Sequence, residues 1–139
     1  MGRVIHTEGP GKVRNNQIKA ILFAIRELMG QSKPDDSTKD LVAFIGLALI
    51  EIYESIETSV AAWEKRGYWL KADRYRLEWE WTGNLGREIC ADLLVDDWAR
   101  IALNTATVAQ KFGQVKLPKS NRIGSPWKGC LEKLVTSGY

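Results

Sequence analysis

Apolar residues recur at three- and four-residue intervals along most of this chain. Ile18, Ile21, Leu22, Ile25, Leu28 and Met29 trace one helical face, with Asn15 or Asn16 ahead as a cap and Gly30 behind as a stop, so the spacing predicts a helix over 15–29. After the polar stretch QSKPDDS, Ser37 with Asp40 three residues on reads as a capping box. Leu41, Phe44, Ile45, Ala48, Leu49, Ile52, Ile56 and Trp63 then carry a second helix over 38–66, ending before Gly67. Glu51, Glu54 and Glu57 enter only past its first half, so that half is expected to be covered on all sides and the second half to meet water.

A third helical pattern runs over 69–112 and crosses TGNLG at 82–86. Each glycine in a helix interior costs about 1 kcal/mol relative to alanine. Tyr75, Trp79, Gly83, Gly86, Cys90 and Leu93 nevertheless keep helical spacing, so the helix is expected to continue through the glycines and to bring a neighbour close. Beyond Gly113, QVKLPKSNRIG reads as extended loop. Ser125 then caps a short helix with Pro126 at its first position and Trp127, Cys130, Leu131, Leu134 and Val135 on one face. No stretch alternates as a strand would. The expected fold is all-α: an antiparallel bundle of three long helices, the second and third longest, plus a short C-terminal helix. A single domain over 1–139 is expected, with basic, partly extended segments at 1–14 and 113–125.

The longest apolar run, Leu41 to Ile50, is ten residues long, half of the roughly 20 a bilayer span requires. No apolar core of secretory-signal length opens the sequence, and Cys90 and Cys130 lie forty positions apart. A cytoplasmic location with reduced thiols is therefore expected, with no membrane partner.

Charge changes the picture more than composition does. Residues 1–33 carry six basic and two acidic side chains and residues 111–139 six basic and one acidic, whereas 34–110 carry eight basic and fourteen acidic. Basic ends flanking an acidic body point to polyanionic partners rather than to a particular fold.

Candidate catalytic chemistry is sparse. His6 is the single histidine, which leaves histidine-based triads and histidine-rich metal sites without material. GPGK at 9–12 lacks the preceding glycine and the following Ser or Thr of a phosphate loop. Glu88, Asp92 and Asp96 recur at four-residue steps, and Glu51, Glu54 and Glu57 form a second acidic stripe. Two facing acidic helices resemble the all-helical nucleotide pyrophosphohydrolases, which pair Glu-x-x-Glu with Glu-x-x-Asp. Glu51/Glu54 or Glu54/Glu57 fits the first half, while Glu88 to Asp92 is one residue too long for the second. That resemblance implies a magnesium-dependent enzyme as the alternative function, and solvated helix faces are the preferred reading.

The densest aromatic stretch, Trp63 to Trp81, holds four tryptophans and two tyrosines among five basic and four acidic residues. With Arg74–Glu78 and Arg76–Glu80 at pairing distance, it lacks the surplus positive charge of a base-stacking platform. Its apolar residues fall on two opposite sides, one covered by the domain's own core and the other by the terminal segments or another chain, so Trp69, Leu77, Trp79 and Trp81 are assigned to an interface, with a protein partner or with a second copy. Lys116, Lys119, Arg122 and Lys128, together with Arg3, Lys12 and Arg14, are assigned to an RNA or DNA backbone. The function expected is a non-enzymatic helical subunit or adaptor of a larger assembly, without a cofactor. Small helical subunits of RNA-guided effector complexes are similar in size, helical character and basic ends.

Overall fold

The computed structural model describes residues 9–137 and, for Pro10, the backbone alone. Five helices make up the fold: α1 (Pro10–Met29), α2 (Asp36–Lys65), α3 (Trp69–Leu94), α4 (Trp98–Lys111) and α5 (Cys130–Ser137). The described residues contain no strand, and none of their helices is long and apolar enough to cross a membrane.

α2 is the spine. Leu41, Val42, Ala43, Ile45, Ala48, Leu49, Ile50 and Ile52 are buried around its first half, because α1, α3 and α5 all pack against it. Its second half turns Glu51, Glu54 and Thr58 outward and keeps a single stripe of Ile52, Ile56 and Val60 fully buried. This is the two-part character that the late entry of the glutamates implies. Ile18, Ile21 and Ile25 of α1, Ile89 and Leu93 of α3, Ile101 and Val108 of α4, and Leu134 of α5 join the same core cluster.

α3 lies antiparallel to α2, since Tyr53 faces Gly83, Ile50 faces Gly86, and Trp63 stacks against Tyr75. TGNLG stays helical, and its glycines set how near the two helices come. A Cβ on Gly86 would fall 2.9 Å from both the Gly46 carbonyl oxygen and Ile50 Cγ1. One on Gly83 would meet the Tyr53 ring at 2.7 Å, and one on Gly46 would meet Cys90 Sγ at 2.6 Å. The entropic cost of helical glycine is thus offset by backbone-to-backbone packing.

Several boundaries differ from the sequence expectation. The 69–112 segment is two helices, so there are four helices of fourteen residues or more rather than three. The break falls at Val95–Asp97, where Asp96 adopts a left-handed φ of 54°. Asp96 N–H donates to Leu93 O and Asp97 N–H to Asp92 O, the paired bonds of a Schellman ending, and the Asp97 carboxylate then caps α4 at Arg100 N. At the end of α2 the same ending is built on Gly67, with φ 83°. α1 starts at Pro10 after Gly9, so Asn15 and Asn16 are interior helix residues and 10–14 is not extended.

The cap of α2 is Asp35, which accepts from Thr38 N at 2.9 Å. Asp40 acts at long range instead. Its carboxylate accepts from Gly129 N at 3.2 Å and Leu131 N at 2.8 Å, capping α5 from the opposite end of the sequence. Residues 126–129 form a turn, and α5 begins at Cys130 rather than at Pro126.

The glycine seam yields a stability prediction. Gly86→Ala should cost ~1–3 kcal/mol by overpacking against α2, whereas Gly11→Ala, with open space around it, should add ~0.5 kcal/mol of helix propensity. Chemical denaturation of both variants checks the pair, and a neutral Gly86→Ala would contradict the close approach.

Candidate functional site

The four residues assigned to an interface separate into two groups. Trp69 and Leu77 are exposed, at 60% and 70%, and Tyr68 and Leu70 beside them at 55% and 65%. Tyr68, Trp69 and Leu70 sit where α3 leaves the α2–α3 turn, around a cleft of about 560 Å³ that also includes Lys71, Arg74 and Glu78, and Leu77 lies outside it two turns on from Leu70. Trp79 and Trp81 are half-buried within the chain. The Trp81 ring lies 5.0 Å from Phe112, with Lys111 Nζ 5.8 Å from its centroid. Trp79 packs with Tyr75 and with the Arg14 guanidinium, 5.6 Å from its ring. One apolar side of the helix is therefore covered by α1 at Trp79 and the opposite side by the end of α4 at Trp81, and nearer the turn the two stay open at Trp69 and at Leu77 respectively.

The sequence places Arg14 with the phosphate-contacting residues, and the structure corrects this. It is 7% exposed and donates to the Tyr75 hydroxyl at 2.9 Å, so its guanidinium is turned into an aromatic pocket rather than toward a polyanion. Its Nε and the Trp79 Nε1 are buried donors without an acceptor among the described residues. Lys12 is exposed on the first turns of α1, and Arg3 lies outside the described residues.

The basic strap, residues 113–129, crosses the surface between α4 and α5 without regular helix. Val115 packs on the core, Arg26 donates to the Pro118 carbonyl at 3.3 Å, and Trp127 meets Phe44 edge-on at 6.3 Å. Between these anchors the Asn121 side chain bridges the Ile123 amide and the Gly124 carbonyl, with Gly124 at φ 89°. Lys116, Lys119, Arg122 and Lys128 all point to solvent. None of the four forms an ion pair among the described residues, and no acidic residue lies between Lys116 and Lys128.

The acidic stripes are differently engaged. Arg100 reaches Glu88 at 3.1 Å and Asp92 at 3.3 Å, and Asn104 donates to the other Asp92 oxygen at 3.1 Å. Asp96 has left the helix and lies 3.5 Å from Lys39. Arg76 pairs with Glu57, Glu64 and Asp73 instead of Glu80, and the hydrogen bond to Glu57 first, then that to Glu64, raises its pKa above the ordinary value. No group of three acidic, cysteine or histidine side chains that could hold a metal occurs among the described residues. Burial pushes the Cys90 thiol up to about 12 and the Cys130 thiol upward as well, so neither is a thiolate nucleophile near neutral pH.

Comparison with protein-family models, curated proteins and solved structures gives no match. The functional argument therefore rests on the two open features of this chain, the aromatic face of α3 and the strap.

These placements separate core from surface. Trp81→Ala should cost ~2 kcal/mol or more by emptying the contact with Phe112, while Leu77→Ser should change stability by no more than about 0.5 kcal/mol. Thermal denaturation of the two variants decides, and equal effects would contradict the partition.

Proposed function

We propose that this protein is a non-enzymatic helical adaptor of a nucleoprotein assembly, with the strap following a phosphate backbone and the Tyr68–Leu77 face of α3 docking a protein partner. The observation that carries the reading is the strap. Four exposed cations project from a loop whose anchors are apolar or backbone contacts, so the charges are not spent in holding it. In the helical body, by contrast, Arg76 and Arg100 are tied to carboxylates and Arg14 to aromatic rings.

A loop fixed at both ends loses less conformational freedom on binding than a free tail does. Long basic side chains on irregular backbone reach phosphates more readily than base edges, so sequence preference is weak. The aromatic face supports the protein half of the reading through contiguity: Tyr68, Trp69 and Leu70 line one cleft with the adjacent charges of Lys71 and Arg74, and the exposed Leu77 adds apolar surface further along α3. Aromatic and arginine-bearing patches of this kind are enriched at interface centres. The pyrophosphohydrolase-like alternative loses support at the carboxylates. Arg100 and Asn104 occupy Asp92, and Asp96 is off the α3 stripe.

Binding to single- and double-stranded RNA and DNA, titrated across salt concentration, tests the proposal. Affinity should fall steeply with salt, and changing Lys116, Lys119, Arg122 and Lys128 to glutamine should flatten the slope by about 3–4 units without loss of helix content. No binding at low salt, or an unchanged slope in the quadruple variant, removes the strap from the account.

A further inference from the structure

The C-terminal half of α1 and α4 do not close on each other. Between them runs a trough of about 780 Å³, a volume typical of small-molecule sites. Buried Ile25 and Ile101 and half-buried Leu28 and Trp98 line it, and Ala102 and Ala106 keep its α4 side low. Thr105 contributes no free hydroxyl, since its Oγ1 donates to the Ile101 carbonyl at 2.8 Å. From Trp98 to Ala109 the α4 wall extends about 17 Å at 1.5 Å per residue, a length suited to an extended alkyl chain.

The remaining polar lining comes from one end alone, the α1–α2 connection with Gln31, Ser32 and Lys33, and Thr38 behind it. Two of these groups are already committed. Thr38 donates to the Lys33 carbonyl at 2.7 Å, and Gln31 donates to the Glu27 carbonyl at 3.5 Å. The neighbouring Asp35 carboxylate is turned to the Thr38 amide and hydroxyl, at 2.9 and 3.0 Å. Lys33 is exposed at the mouth of the trough; hydrogen bonds from Thr38 first, and the Lys33 charge after them, hold the Asp35 carboxyl below its ordinary range, but Lys33 makes no close ion pair among the described residues.

A hydrocarbon channel with its one cation at one end matches an amphiphile with an anionic head. We propose that the trough binds a free long-chain monocarboxylate, its tail along Ile25, Leu28, Trp98 and Ile101 and its carboxylate on Lys33. A neutral apolar molecule would make no use of the charged end. A docked helix would meet polar groups at only one end of the groove. The site lies apart from the strap and from the Tyr68–Leu77 face, and it does not depend on the adaptor role.

The test uses the full chain, titrated with laurate below its micelle concentration and, as a headgroup control, with dodecanol. Thermal midpoint and calorimetric heat are read together. Laurate should bind saturably, raise the midpoint and bind about three- to five-fold more tightly than dodecanol. Lys33→Glu should weaken laurate by about ten-fold and leave dodecanol unchanged. Ala106→Trp should block both ligands while circular dichroism keeps its helical signal. The surface variant Lys33→Glu decides the question should the Ala106 variant misfold. The proposal is overturned by absent or non-saturable laurate binding, by equal affinity for laurate in wild type and Lys33→Glu, or by a dimer that Ala106→Trp dissociates.

Discussion

The close approach of α2 and α3 sets the geometry of everything else. Gly46 and Gly86 face each other across a gap that would admit no Cβ, and Gly83 accepts the flat ring of Tyr53 one turn away. Dispersion between two backbones at this range is strong because many atoms come to optimal separation together. With the hairpin fixed, α1 and α5 have two sides of α2 to cover, and α4 folds back over α3. The seam also explains why Cys90 is inert: its sulfur fills the space over Gly46, and burial there keeps the proton on.

Rigid at its glycines, the hairpin changes character toward its turn. Between the glycine seam and the turn the inter-helix contact becomes aromatic and ionic, through Trp63 with Tyr75 and Arg76 with Glu57 and Glu64. Such contacts tolerate water at their edges, and here the apolar residues of α3 turn outward. A helix held firmly at one end can present an exposed face at the other without paying for it in global stability. The aromatic stretch is therefore two things at once, a packing seam at Tyr75, Trp79 and Trp81 and an open surface at Trp69 and Leu77.

Much of this was legible in the sequence where the local signal and the tertiary solution agree. α2 was readable because its apolar stripe, late glutamates and Gly67 all point the same way, and continuity through TGNLG followed from spacing that survived the glycines. The α3–α4 break was not readable because Asp96 does what Gly67 does without being glycine, and the apolar period resumes after it almost in phase. The start of α1 was hidden because asparagines that resemble caps lie inside the helix. Arg14 misled by type: a cation near a basic end suggests solvent, and only the fold brings Tyr75 and Trp79 over it. Asp40 misled by proximity, since its partners are about ninety residues away. The trough between α1 and α4 had no local signature, because small residues on an otherwise ordinary helix face look like solvent-facing alanines.

The capping of α5 by Asp40 makes the far end of the chain a reporter on its beginning. Eight residues are too few to hold a helix in water unaided, so α5 is ordered by what α2 offers it: the carboxylate of Asp40, the ring of Phe44 against Trp127, and the core site of Leu134. Helix α5 is thus a natural unit of local opening, and its release would let go one end of the strap. Beyond the anchors at Val115 and Pro118, the strap would then change from a closed loop into a tail, free to sweep a larger volume with the charges of Lys119, Arg122 and Lys128. Amide exchange in α5 therefore measures how often the protein exists in that long-reach form.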